Sequence, residues 1–330
     1  MTALTFYDTT VLSLGALFLG IIMLIKGGNW AVDAAVHIAV QYGISPMVVG
    51  FTIIAFGTSL PELIVSVFAN LQGSPGIALG NVLGSNIANI LLVLGFAALF
   101  LPLKTKVSME LLRDLGFMLL STIILVILLH YGAISRLIAF LMLFSLIAYV
   151  FLQYKTSKPE DFDEEDLGES TFQSNAFALG TLFIGLISIA VGAEFLVKGA
   201  KVSAGMIGVP ESVIALSLIA FGTSLPELST SIIAARKGQT GMVIGNIIGS
   251  NVFNILMILG VAALIKPIAH GAFDAQLANF DAWVTLFVAF VLAGLLFFQG
   301  KISKTFGGLF FASYIAYNIF IYVSNMNVGS

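Results

Sequence analysis

The sequence predicts an all-α polytopic membrane protein with ten transmembrane helices in two inverted five-helix repeats. Of its 330 residues, 59% are hydrophobic and only 9% are charged, and the mean hydropathy is +1.06. Ordinary soluble domains carry about 25% charged residues, so a soluble protein is excluded. A membrane β-barrel is excluded because its strands alternate in hydropathy, whereas segments 114–129 and 282–299 are nearly continuous apolar runs of helix length.

Ten candidate spans are separated by turn residues and charge clusters. In order along the chain they cover residues 10–40, 45–71, 75–100, 113–130, 135–154, 174–204, 210–236, 241–265, 281–299 and 305–323. The acidic stretch 155–173 divides a first half, 1–154, from a second half, 174–330. The first apolar segment lacks the basic flank of a cleaved signal peptide, so we interpret it as a retained span.

An internal repeat relates the two halves. Shifting the chain by 165 residues aligns segment 50–95 with segment 215–260 without a gap, and 24 of the 46 positions are identical. Each copy contains AFGTSLPEL followed by GN..GSN..NIL. Because each half has an odd number of spans, the second copy enters the membrane from the opposite side, and the repeat is predicted to be inverted.

Basic residues on alternate loops predict the orientation of the chain in the membrane. Nine Lys and Arg residues fall on the face that carries the acidic stretch, and four fall on the other face. By the positive-inside rule, the acidic stretch is expected to be a cytoplasmic linker, and both termini are expected outside the cell.

Each repeat copy places a proline and a glutamate in the middle of a predicted span. These are Pro61 with Glu62, and Pro226 with Glu227. Proline deprives the carbonyl four residues earlier of its helical partner, and the preceding Gly-Thr-Ser permits unwinding and adds hydroxyl oxygens. Each copy therefore offers a carboxylate, hydroxyls and free carbonyls within one turn, all of them hard oxygen ligands.

Two buried glutamates require a compensating charge. An ionised carboxylate at the bilayer centre costs about 2.5 kcal/mol or more. Structural pairing with Lys26 or Lys198 is the competing interpretation, but neither lysine lies in a repeat copy. Inverted symmetry would instead bring Glu62 and Glu227 together near the midplane, where a cation would relieve their repulsion.

The second segment of each copy adds small polar side chains with helical spacing. Ser85 and Asn89, like Ser250 and Asn254, are four residues apart and share one helix face. Further asparagines lie nearby, at Asn81, Asn86, Asn246 and Asn251. Any one of these could serve only as contact between helices. As a set that faces two glutamates, these serines and asparagines predict a site for Ca²⁺ or Na⁺ and not for softer metals.

At these residues the chain resembles the Ca²⁺/cation antiporter superfamily, and within it the prokaryotic sodium/calcium exchangers. The resemblance implies that Glu62 and Glu227 are the central ligands. It also implies oxygen ligands from Thr58, Ser59, Thr223, Ser224, Ser85, Asn89, Ser250 and Asn254, and from the carbonyls of Ala55 and Ala220. In this superfamily the long first and sixth spans slide past the other eight. Several relatives, including potassium-dependent ones, have an aspartate in place of Asn254, which argues against potassium coupling.

We therefore expect a secondary antiporter, not an enzyme, that exchanges Ca²⁺ for Na⁺ by alternating access. A Ca²⁺/H⁺ antiporter is the alternative, because close carboxylates share protons readily. The GTSLPEL motif favours sodium by resemblance, since the proton-coupled branch has a motif built on Gly-Asn. A cation channel is the less favoured alternative. We expect no cofactor beyond the transported ions Ca²⁺ and Na⁺, a lipid bilayer as surroundings, no nucleic acid partner and a functional monomer.

Overall fold

The computed structural model describes residues 3–157, 172, 174–206 and 222–328, which form a helical bundle with two short strands. The first half contains α1 (Ala3–Tyr42), α2 (Pro46–Thr58), α3 (Leu60–Leu71), α4 (Pro75–Phe100), α5 (Met109–Tyr131) and α6 (Arg136–Thr156). The second half contains α7 (Asn175–Met206), α8 (Leu225–Arg236), α9 (Thr240–Ile265), α10 (Leu277–Gln299) and α11 (Lys304–Val328). Strand β1 (Leu103–Lys104) pairs antiparallel with β2 (Lys301–Ile302).

The helical membrane class predicted from the sequence is confirmed. In the described residues, eight helices are long and apolar enough to cross a membrane, or nine if the bent pair α2 and α3 is one span. The seventh predicted span, 210–236, falls partly outside the described residues, which contain it only from residue 222 onward, including α8. Most of the linker 155–173 also lies outside them, so the count of ten spans stays a prediction.

The loops gather at two opposite ends of the bundle. At one end β1 joins β2, the Thr240 hydroxyl donates to the Lys104 carbonyl at 2.6 Å, and the Ser45 N–H donates to the Ser157 hydroxyl at 3.1 Å. This is the end at which α6 runs toward the acidic stretch. The contacts join loops that the alternation of spans assigns to one membrane face.

The opposite end is held by a second set of contacts. Ile134 and Ile268 form an antiparallel bridge. The Asn70 amide at the end of α3 donates to the carbonyls of Ala262 and Lys266 at 2.8 and 2.7 Å. Along the chain, these loops alternate with the loops of the first end. This alternation is expected when each helical segment between two loops crosses the molecule.

The longest helices, α1 and α7, cross at positions where both helices carry glycine. A Cβ added at Gly20 would lie 2.7 Å from the Gly192 carbonyl oxygen, and one added at Gly27 would lie 2.8 Å from that of Gly185. The order of these pairs shows that the helices run antiparallel. Glycine lets the two backbones touch, which is how helices associate where lipid supplies no hydrophobic driving force.

Helix α2 lies equally close to α9. A Cβ on Gly245 would lie 2.1 Å from the Met47 carbonyl oxygen, and a Cβ on Gly249 would lie 2.3 Å from that of Phe51. In return, a Cβ on Gly50 would meet the Met242 carbonyl at 2.3 Å. Helix α2 of the first copy therefore packs directly against the backbone of α9 in the second copy. This contact sets the geometry of the site described next.

Candidate functional site

Both repeat copies interrupt their helix at a serine just before the Leu-Pro-Glu sequence. Ser59 separates α2 from α3 with a 47° bend, and Ser224 precedes α8 with nearly the same backbone angles. Pro61 and Pro226 lie in the first turn of the following helix, where the missing N–H has no helical partner to lose. The predicted interruption is thus present, and both serine hydroxyls are buried without a hydrogen-bond partner.

The two glutamates occupy the first turn of the helices that begin at these breaks. Glu62 and Glu227 are each only 1% exposed, and their charges are close enough to interact. The positive end of a helix dipole stabilises a carboxylate at this position. Each glutamate is therefore buried in the first turn of its half-helix and lies within electrostatic reach of the other.

No basic residue compensates these carboxylates in the described part of the chain. Lys198, one of the two candidates from the sequence, pairs with Glu194 at 2.7 Å on an exposed surface. The other described ion pairs are Arg113 with Asp114 and Lys237 with Asp33. Lys26, the other candidate, is exposed, so structural pairing with lysine does not explain the buried glutamates.

Hydroxyls from one copy face the carboxylate of the other. Thr58 and Ser59 lie beside Glu227, although neither oxygen of Glu227 has the geometry of a hydrogen bond with a protein group. One oxygen of Glu62 is likewise buried without a partner. Buried polar oxygens without a partner are rare in proteins, so this group of them on both copies calls for an explanation.

The remaining oxygens predicted by resemblance differ in their surroundings. Ser224 is buried and Thr223 is half-buried. The Ala55 carbonyl accepts the Ser59 N–H at 3.0 Å and the Thr58 hydroxyl at 3.4 Å. Ala220 lies outside the described residues.

Asn89 and Asn254 begin π-helical segments, which the sequence analysis did not predict. The segments are Asn89–Leu94 in α4 and Asn254–Leu259 in α9. Single-turn π segments inside α-helices often occur at functional sites. Hydropathy periodicity cannot reveal them because these segments are apolar on all sides.

The two copies are cross-packed around the site. Helix α3, which carries Glu62, contacts the π segment that begins at Asn254, and α8, which carries Glu227, contacts the segment that begins at Asn89. Ser85 and Ser250 lie one turn before these asparagines, and all four side chains are buried. Each glutamate helix therefore packs against the segment of the opposite copy that carries a buried serine and asparagine.

A second pair of asparagines holds each glutamate helix to its own copy. The Asn81 amide donates to the Ser66 hydroxyl at 2.9 Å and to the Glu62 carbonyl at 3.3 Å. The Asn246 amide donates to the Ser231 hydroxyl at 3.2 Å. These bonds use the amide N–H groups, so Asn81 and Asn246 support the site as positioning residues.

The donor set consists of oxygen atoms with two negative charges. No group of three or more His, Cys, Asp or Glu side chains able to hold a metal ion occurs in the described residues. Carboxylates, hydroxyls and amide oxygens suit Ca²⁺ and Na⁺. A transition-metal site would use imidazole or thiolate ligands, and the sequence contains no cysteine.

Comparison with known proteins agrees with this chemistry. The family model described as "Sodium/calcium exchanger protein" matches residues 12–155 and 177–323. Sodium/calcium exchanger MaX1 of Methanosarcina acetivorans is 33% identical over 77% of this chain and 83% of its own. Inner membrane protein YrbG of Escherichia coli is 35% identical over 86% of this chain and 88% of its own.

A solved structure extends the comparison to the fold. The sodium-calcium exchanger NCX_Mj, soaked with Na⁺ and Sr²⁺, superimposes with a TM-score of 0.80 at 35% sequence identity. The match covers 93% of this chain and 97% of that one. On the family model, the curated relatives and this fold together, the chain belongs to the sodium/calcium exchanger family of membrane ion transporters.

Proposed function

We propose that this protein is a secondary active antiporter that exchanges Ca²⁺ for Na⁺ across the cell membrane. The observation that carries the proposal is the pair of buried glutamates, one from each repeat copy, whose charges interact without a basic partner in the described residues. One Ca²⁺ neutralises both carboxylates, and Na⁺ can neutralise the same charge. Competition of both ions for Glu62 and Glu227 couples their movements.

The proposed ligands come from both copies. Glu62 and Glu227 supply the charge, and neutral oxygens complete the coordination. These are the side chains of Thr58, Ser59, Thr223, Ser224, Ser85, Asn89, Ser250 and Asn254, with the carbonyls of Ala55 and Ala220. The position of Thr58 and Ser59 beside Glu227 supports a shared site.

Alternating access is the proposed mechanism, with the halves 1–154 and 174–330 as inverted five-helix repeats joined by the linker 155–173. In this family the first and sixth spans, here α1 and α7, slide past the rest. Their backbone contacts at several glycines support movement as one unit, because separating the helices would break this close packing. Both copies of the site belong to one chain, so we expect a functional monomer.

Reconstitution in proteoliposomes tests the proposal. An outward Na⁺ gradient should drive Ca²⁺ uptake, and a pH gradient of equal size should not. The matched control is the Glu62→Gln, Glu227→Gln double variant, which reports leakage through the vesicle. Uptake driven by the pH gradient alone would identify a Ca²⁺/H⁺ antiporter, and uptake without any counter-ion gradient would identify a channel.

A further inference from the structure

Four buried asparagines lie where α4 crosses α9. Asn86 and Asn89 on α4 are equivalent in the repeat to Asn251 and Asn254 on α9. All four side chains are almost completely buried. A buried amide has one acceptor oxygen and two N–H donors, so its orientation decides whether a neighbouring cation meets an oxygen or a hydrogen.

A backbone carbonyl fixes the orientation of one of these pairs. The Asn86 amide nitrogen donates to the Asn251 carbonyl at 3.3 Å, and a carbonyl can only accept. Asn86 must therefore turn its own oxygen the other way, where it accepts the amide nitrogen of Asn254 at 3.0 Å. The Asn254 oxygen is left pointing elsewhere, buried and without a protein partner.

The other pair lacks this arrangement. The Asn251 amide nitrogen donates within its own helix, to the Ile247 carbonyl at 2.9 Å. Neither amide atom of Asn89 has a hydrogen-bond partner in the described part of the chain. The equivalent positions thus hold one oriented amide, Asn254, and one unrestrained amide, Asn89.

We propose that Asn86 is a positioning residue that fixes Asn254 with its amide oxygen toward the transported cation. The proposal rests on the proposed function, because it takes Asn254 as a ligand. The Asn86 oxygen holds the Asn254 N–H₂ group, so that group cannot turn toward the cation and repel it. Such pre-orientation lowers the ordering cost of binding. Asn89, by contrast, must be oriented anew each time a cation binds.

Removing the positioning bond should weaken cation binding while leaving the protein folded. In Asn86→Ala, we expect the Kd for Ca²⁺, measured by calorimetry on purified protein, to rise about five- to tenfold, the scale of one hydrogen bond. The KM for Ca²⁺ should rise similarly, with the rate at saturating Ca²⁺ nearly unchanged. The matched control is Asn318→Ala on α11, which removes an amide that donates only to the Tyr314 carbonyl of its own helix at 2.8 Å; its Kd should stay within about twofold of the parent.

A second background separates positioning from a general structural role. In Asn254→Asp, either carboxylate oxygen can face the cation, so the orienting bond is no longer needed. Adding Asn86→Ala to that background should change the Ca²⁺ affinity by less than about twofold, a non-additive result. Equal affinity losses from Asn86→Ala in the two backgrounds would overturn the proposal, and so would equal losses in Asn86→Ala and Asn318→Ala. Failure of the proposed function would differ, since the parent would then bind Ca²⁺ without Na⁺-driven uptake.

Discussion

At the scale of single residues, the central feature is a pair of carboxylates that burial alone would make costly. Glu62 and Glu227 are each accompanied by buried hydroxyls and by the start of a half-helix. Hydroxyls and dipoles reduce the cost of each charge but do not cancel the repulsion between two of them. A cation cancels it, so occupancy and local stability are linked.

Replacing either glutamate with glutamine should abolish exchange without unfolding the protein. Glutamine keeps the shape and removes one charge, so Glu62→Gln and Glu227→Gln should each lower Na⁺-driven Ca²⁺ uptake at least about 100-fold, the scale of about 3 kcal/mol for one partner of a buried charge contact. Relief of repulsion should maintain or raise the unfolding temperature of the ion-free protein. The control Glu194→Gln, in an exposed ion pair, should transport normally, and near-normal transport by both single variants would remove these glutamates from the site.

The variant Asn254→Asp tests how the net charge of the site affects exchange and ion selectivity. Two glutamates and one Ca²⁺ sum to zero, so a third carboxylate leaves a charge of −1 when Ca²⁺ is bound. We expect slower Na⁺/Ca²⁺ exchange and a new sensitivity to K⁺ or to pH, because a monovalent cation or a proton would restore neutrality. Exchange measured with and without K⁺ between pH 6 and 8 checks this. A variant indistinguishable from the parent would place Asn254 outside the ion pathway.

At the scale of elements, the close contact between α2 and α9 positions the site. Gly249 lies against the Phe51 carbonyl in the helix that ends at Thr58 and Ser59. The two hydroxyls that face Glu227 are therefore positioned by a backbone contact two turns away. We expect a small change in this contact to alter the affinity of the site for the cation.

Gly249→Ala should disturb the site without touching a ligand. The new Cβ would lie 2.3 Å from a backbone oxygen, so α2 must move. We expect a loss of about 1 to 3 kcal/mol in stability, seen as a lower unfolding temperature, together with a raised KM for Ca²⁺. Gly116→Ala, where the described residues leave open space around the Cβ, is the control and should be neutral or slightly stabilising. Equal unfolding temperatures for the two variants would contradict the role assigned to the contact.

Much of this architecture was predictable because polar residues in an apolar sequence are informative. Glu62, Glu227 and the Gly-Thr-Ser before each proline indicated broken helices and a site between the copies. The π segments at Asn89 and Asn254 and the amide orientation set by Asn86 were not predictable. They depend on which backbone groups face each other across helices, and a one-dimensional pattern contains no such information.

At the scale of the whole molecule, the two sets of end contacts define two faces. The first includes Lys104 and Ser157, and the second includes Ile134 and Ile268. Every described contact between loops at these ends agrees with the alternation of spans predicted from the sequence. Which face is cytoplasmic depends on the distribution of Lys and Arg and stays a prediction.

Single cysteines can test the orientation directly, since the chain has none of its own. Lys155→Cys and Ala272→Cys are exposed positions at opposite ends. In intact cells, an impermeant maleimide should label Ala272→Cys, and it should label Lys155→Cys only after permeabilisation. The reverse pattern would invert the predicted orientation, and labelling of both positions from one side would contradict the predicted number of spans.

The cross-packing of the copies also has an evolutionary consequence. Each glutamate helix contacts the opposite copy's π segment, so a substitution at either contact alters the surroundings of the other copy. Selection on either contact therefore acts on both copies at once. The high identity between segments 50–95 and 215–260 is the expected outcome of that mutual selection.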